Sequence, residues 1–298
     1  MLPIVDTHQH LWDLDRFSLP WLDGEGTGPL QGNHLVGDYL AAAGGTGIDR
    51  TIYMEVDLDP DQRPAEADFA IGLCAAGDNP VAGAVISGSP GGEGFRGYID
   101  RYRGNGFVKG IRQVLHVPAA GPGRCLREGF VSDIRYLGES GLSFDLCMRP
   151  SELGDAVGLV DRCPDTRFIL DHCGNADPGV VNGAAGYDPA NPFSHTREQW
   201  LSDIAALGER EHVVCKISGI VARAPAGWSA ATLAPAVDHC LDCFGPERVV
   251  FGGDWPVCNL GADLGAWTAS LREIVSARPR EEQAKLFAGN AERVYGLE

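Results

Sequence analysis

Met1-Leu2-Pro3-Ile4-Val5-Asp6-Thr7-His8-Gln9-His10 opens the chain with a short apolar run that ends on polar residues. Read as a strand, it turns His8 and His10 to one face, because side chains alternate along an extended chain. Two imidazoles at a strand's C-terminal end suit a metal site or a pair that polarises a substrate. The same pair also fits an ordinary surface loop, so its weight rests on partners further along. The stretch separates two folds as well. A doubly wound open sheet normally carries a glycine-rich phosphate loop after its first strand, and here that place holds His8-Gln9-His10.

Similar apolar runs recur along the chain, at 3–8, 50–56, 81–87, 107–116, 143–148, 167–172, 213–219 and 248–254. They are spaced by roughly 30 residues or more, the length of one βα unit. Near-continuous apolar runs suit strands buried on both faces, as in a parallel sheet. Helical patterns lie between and after them, at 65–76, 94–103, 129–140, 152–163, 196–209, 233–244, 264–277 and 280–295. Eight strands alternating with eight helices predict one α/β domain over residues 1–298, a (β/α)8 TIM barrel. Two long insertions, 13–33 and 174–194, stand out. The second is rich in Gly, Asn, Pro and Asp and is expected to lie over the barrel mouth. The first holds aromatics that either form a lid or pack it down.

The 298 residues include 44% hydrophobic and 22% charged ones, enough for a large core. A net charge of −17 disfavours nucleic acid and anionic membranes as partners. The nine cysteines read as reduced, mostly buried thiols. No basic and apolar leader opens the sequence, and no apolar segment approaches ~18 residues. The expectation is a cytoplasmic protein acting on a small molecule, with a homo-oligomer left open.

Polar residues gather where the apolar runs end: His8 and His10, Glu55 and Asp57, Arg112 and His116, Asp145 and Arg149, Asp171 and His172, Lys216 and Ser218, and Asp254. In barrel enzymes that face holds the active site. Asp254 is the sharpest case, since Val249-Val250-Phe251-Gly252-Gly253 carries it to the rim and Trp255-Pro256 then breaks the strand. A carboxylate there suits a general base, with a helix cap or loop acid as the plain alternative. Glu55 reads either as a ligand or as a solvated loop acid. Arg112 and Lys216 either bind substrate or pair with barrel carboxylates; His116 either binds substrate or caps a helix. Trp255 either lines the pocket or packs in the core.

The runs His8-Gln9-His10-Leu11-Trp12-Asp13, Gly110-Ile111-Arg112, Leu170-Asp171-His172-Cys173-Gly174, Lys216-Ile217-Ser218-Gly219, Phe251-Gly252-Gly253-Asp254-Trp255-Pro256 and Gly289-Asn290-Ala291 together resemble the amidohydrolase-2 group of the amidohydrolase superfamily. Within it the chain looks most like the sugar-lactonase branch of carbohydrate metabolism, which holds L-fuconolactonase, L-rhamnonolactonase and muconolactone hydrolases. The resemblance implies a barrel that hydrolyses a lactone ester. It matches His8 and His10 to the first-strand pair, His172 to the sixth-strand histidine and Asp254 to the eighth-strand acid. Binuclear members also carry a fifth-strand histidine and a fourth-strand lysine. Residues 143–150 have no histidine, and Lys109 has the wrong parity and lies near its strand's start. The expectation is therefore one divalent ion, Zn2+ or Mn2+, held by some of His8, His10, Glu55, His172 and Asp254, or none.

The leading reading is a lactonase with His8, His10, His172 and Asp254 as its catalytic set. A metal-dependent decarboxylase or amide hydrolase of the same superfamily, and a lactone isomerase, are the alternatives. A non-catalytic sugar-acid-binding barrel would have no need for that set.

Overall fold

Eight strands stand side by side in chain order: β1 (Ile4–Gln9), β2 (Ile48–Met54), β3 (Val81–Ser87), β4 (Val108–Val114), β5 (Ser143–Cys147), β6 (Phe168–Leu170), β7 (Val213–Ile217) and β8 (Val249–Phe251). Every neighbouring pair is parallel, and each apolar run of the sequence overlaps one strand. The computed structural model describes residues 2–24, 26–184, 188 and 191–297. The ring closes where β8 returns to β1. Asp254 N–H donates to His8 O and His10 N–H to Trp255 O, each at 2.8 Å, and Thr7 Oγ1 donates to Phe251 O at 2.6 Å. The result is a nearly closed (β/α)8 TIM barrel.

Asp6 pins this seam. Its Oδ1 accepts from Gly253 N at 2.6 Å and His8 N at 3.0 Å, and its Oδ2 accepts from Tyr39 OH at 2.8 Å. Below the seam, Val5, Ile52, Val85, Ile169, Val214 and Val250 fill the barrel's interior. Ala291, Val294 and Tyr295 from the end of the chain plug its floor. A larger apolar cluster lies outside the strands, between them and the helices. Residues buried on both faces need near-continuous apolar runs, which is why the strands were readable.

Helices Arg63–Ala76, Phe95–Tyr102, Glu128–Glu139, Leu153–Arg162, Arg197–Gly208, Ala230–Phe244 and Leu264–Ile274 overlap the helical patterns. Two regions differ. A helix at Val36–Ala42 links β1 to β2; its seven residues, with Gly37 in the first turn, are too few to leave a periodic stripe. The run 280–295 is broken into Arg280–Ala284, a π turn at Lys285–Gly289 and Asn290–Tyr295. The wide turn buries Leu286, Phe287 and Ala288 in succession, more than one face of an α-helix offers.

The insertion 13–33 is packed down. Trp12 is fully buried, its ring meets Trp21 edge-on at 5.7 Å, and the two indoles donate to Gly32 O and Val56 O. Of the insertion 174–194, residues 185–187, 189 and 190 lie outside the described residues; its first part forms the short helix Pro178–Val181, capped by Asp177. All nine cysteines are free thiols. Cys240 and Cys243 form a Cys-x-x-Cys pair on the helix Ala230–Phe244. Among the described residues, no helix is long and apolar enough to cross a membrane.

Candidate active site at the C-terminal rim

β1 delivers His8 and His10 to the mouth of the barrel, and the segment after β8 delivers Asp254, whose φ of 56° places it in the left-handed region. Three imidazoles converge on one oxygen. Asp254 Oδ1 lies 3.6 Å from His8 Nε2, 3.5 Å from His10 Nε2 and 4.0 Å from His172 Nε2. The carbonyl of Met54 faces His10 Nδ1 at 3.0 Å. A carbonyl only accepts, so Nδ1 carries a proton and Nε2 is the ring nitrogen that faces Asp254.

His172 arrives by an unusual route. After β6 the chain makes a left-handed turn, with φ of 55° at His172, 52° at Cys173, 67° at Gly174 and 57° at Asn175. Each non-glycine residue there costs roughly 1–2 kcal/mol. The turn is held by Asn175 Nδ2 donating to Met148 O at 2.7 Å and Trp200 Nε1 donating to Cys173 O at 3.0 Å. It swings His172 over the barrel, with Nδ1 at 2.9 Å from Ser218 Oγ.

Beneath the histidines lies a buried charge network. Lys216 Nζ sits 2.8 Å from Asp145 Oδ2, 2.8 Å from Asp171 Oδ1 and 3.2 Å from His8 Nδ1. Arg112 donates from Nε to Glu55 Oε1 at 2.6 Å and from NH2 to Glu55 O at 2.7 Å, and its NH1 is 3.2 Å from His8 Nε2. Residues Arg112 and Asp145 are register partners on β4 and β5, which brings opposite charges onto adjacent strands. Arg112 and Lys216 stand against Glu55, Asp145, Asp171 and Asp254, so the cluster attracts a further cation.

Protonation follows from burial and neighbours. Burial, and then the Lys216 ammonium, push His8 well below its ordinary pKa, and burial lowers His172 too. Burial works against the charge on Lys216, but Asp145 and Asp171 outweigh it and hold the ammonium above its usual range. Burial pushes the Asp145 carboxyl up to about 7 against the pull of Lys216. For Asp254 burial is again opposed, here by His172 and His10, which hold the carboxyl below the usual range.

Of the residues singled out in the sequence, the structure brings His8, His10, His172 and Asp254 together. Glu55 does not join them, because Arg112 and the N–H of Asp57 occupy its carboxylate. Arg112 and Lys216 are both ion-paired within the barrel. His116, half-buried on the loop after β4, packs its ring 4.8 Å from Phe193. Trp255 is buried against His34 and Tyr39, behind the rim. Lys109 lies at the opposite end, its Nζ 3.4 Å from Gly296 O. Phe193 and Arg223, which also reach the mouth, sit in no motif and were not singled out.

The donor set fits one divalent ion. Two groups of metal-ligating side chains stand close enough to share an ion among the described residues, His8 with His10 and Asp254, and His8 with Asp171 and His172. Imidazole with carboxylate is a borderline donor set that suits Zn2+ or Mn2+. The ammonium of Lys216, already lodged between Asp145, Asp171 and His8, fills the neighbouring space with a permanent positive charge.

Comparison with known proteins places the chain. The amidohydrolase family model matches residues 5–297. The L-fucono-1,5-lactonase of Burkholderia multivorans is 26% identical over 304 residues, covering 98% of this chain and 96% of its own. The L-rhamnono-gamma-lactonase of Scheffersomyces stipitis is 22% identical over 351 residues, covering 99% and 98%. A crystal structure of an amidohydrolase from Burkholderia multivorans with bound zinc has a TM-score of 0.84 at 24% identity, covering 99% of this chain and all of that one; at that identity the likeness speaks for the fold. With the family match running almost from end to end, the chain belongs to the amidohydrolase family of hydrolases.

Proposed function

We propose that this hydrolase opens the ester ring of a sugar-acid lactone, with Asp254 taking the proton of the attacking water. The observation that carries the reading is the convergence of three imidazole Nε2 atoms on Asp254 Oδ1 at 3.5–4.0 Å. The relatives named as lactonases support the choice of substrate.

His8, His10, His172 and Asp254 would hold one divalent ion, which would supply a Lewis acid for the lactone carbonyl and acidify a neighbouring water. Asp254, ionised at neutral pH, is positioned to accept a proton as water attacks. His10 and His172, with their Nδ1 atoms engaged by Met54 O and Ser218, are fixed in orientation. The Lys216 and Arg112 cations beneath them, paired with Asp145, Asp171 and Glu55, brace the His8 ring from below. A lactone is an activated ester, so this modest set suffices where an amide would need more.

The test is a panel of aldonolactones followed with a pH indicator, with the product identified as the hydroxy acid and the metal content measured. The expected result is acid release with no more than one divalent ion per chain. A product still in ring form would mean isomerisation, and released carbon dioxide would mean decarboxylation.

A further inference from the structure

Three loops of the active-site face meet at one arginine. Arg223 closes the short turn Ile220–Arg223 that follows β7. Its guanidinium lies over the ring of Phe193, 3.8 Å from the centroid, on the loop that follows β6. Phe193 in turn packs at 4.8 Å against His116, on the loop that follows β4. The stack fixes the guanidinium at the mouth, where its charge is felt by His116, His172 and Asp254.

Beyond that ring, this cation has no hydrogen-bond or ion-pair partner among the described residues. Its Nε is shut off from solvent and finds no acceptor, whereas Arg112 donates from Nε to Glu55 and Arg149 from NH1 to Glu152. Burial without a counter-charge disfavours the guanidinium, with only the more distant Asp254, Cys147 and Asp177 acting the other way. A stack on an aromatic ring holds an arginine in place but leaves its in-plane N–H donors free. Such a fork matches a planar carboxylate.

We infer that Arg223 binds a carboxylate carried by the substrate outside the ring that is opened, so that this enzyme prefers acid-bearing lactones to neutral aldonolactones. The inference rests on the lactonase reading for its reaction but not for its binding site. Arg223 is a specificity residue here: it holds one end of the substrate while the lactone carbonyl sits at Asp254.

The experiment compares five-membered lactones of an aldaric acid and of the matching aldonic acid, using wild type, Arg223→Met and Arg223→Lys. The expected result is a wild-type preference for the acid-bearing lactone of about 10- to 100-fold in kcat/KM, the range of a hydrogen bond to a charged group. Arg223→Met should lose that preference through KM, and Arg223→Lys should restore part of it. A fall in kcat of equal size on both lactones, or a preference untouched by the substitution, would overturn the inference.

Calorimetric titration with the ring-opened diacid tests binding without catalysis. Wild type should bind the diacid at least about tenfold more tightly than Arg223→Met does. If no lactone were hydrolysed, that difference would still uphold the carboxylate site while the lactonase reading failed. Equal binding would overturn the site. Arg223→Gln replaces the methionine variant if circular dichroism finds the latter unfolded.

Discussion

The imidazole of His172 occupies the space that a side chain on Gly219 would need. A Cβ at Gly219 would fall inside contact distance of the Nδ1, Cγ and Cβ atoms of that ring, and the backbone there has a φ of +69°. The glycine that follows Ser218 is thus part of how His172 reaches Asp254.

Gly219→Ala should therefore displace His172 and strain the turn after β7. The left-handed conformation alone costs an alanine roughly 1–2 kcal/mol. Urea unfolding should detect a loss of at least that size, and kcat should fall with it. A variant as stable and as active as wild type would show that His172 has room to spare.

Lys216→Met should be more damaging to the fold. It leaves the buried carboxylates of Asp145 and Asp171 without their shared ammonium, a loss on the order of 3–5 kcal/mol. Lys216→Met combined with Asp145→Asn should recover part of the loss, since one uncompensated charge goes with the change. Additive losses in the double variant would mean that the pair is not coupled.

Glu66 supplies a pH dependence. Its Oε1 accepts from Val56 N at 2.8 Å and Tyr53 OH at 3.1 Å, and its Oε2 accepts from Ser87 Oγ at 3.0 Å. Burial, and then the neighbouring Glu55 carboxylate, push it up from 4.5 to about 8. The folded state thus holds the proton more tightly than the unfolded chain. Stability from this group is fully present below pH 4.5 and is lost as pH rises through about 8. Unfolding free energies measured from pH 5 to 8 should fall for wild type and fall less for Glu66→Gln. Parallel curves would place the titrating group elsewhere.

Much of the barrel was legible because its strands are buried on both faces and so are written as apolar runs. The rim residues at their ends could be listed for the same reason. The sequence did not reveal which of them meet. Glu55 and Arg112 both sit at or near the ends of apolar runs, yet Arg112, on β4, takes the Glu55 carboxylate, just past β2, away from the histidines through a contact that leaves no local pattern. The left-handed turn at His172 is nearly as silent: Gly174 and Asn175 accept that conformation readily, but nothing marks it at His172 and Cys173. Arg223 stacking on Phe193 joins two irregular loops, and no periodicity marks such a contact.

The central claim is that Asp254 takes the proton from water as the lactone opens. The direct test is steady-state hydrolysis of L-fucono-1,5-lactone and related lactones by wild type and Asp254→Asn, corrected for spontaneous ring opening. The amide is nearly isosteric and keeps the rim packed, but it cannot accept the proton. The account predicts hydrolysis by wild type and a fall in kcat of about 10²–10⁴-fold in the variant, with the fold intact by circular dichroism. An Asp254→Asn variant that kept more than about a tenth of wild-type kcat would contradict it.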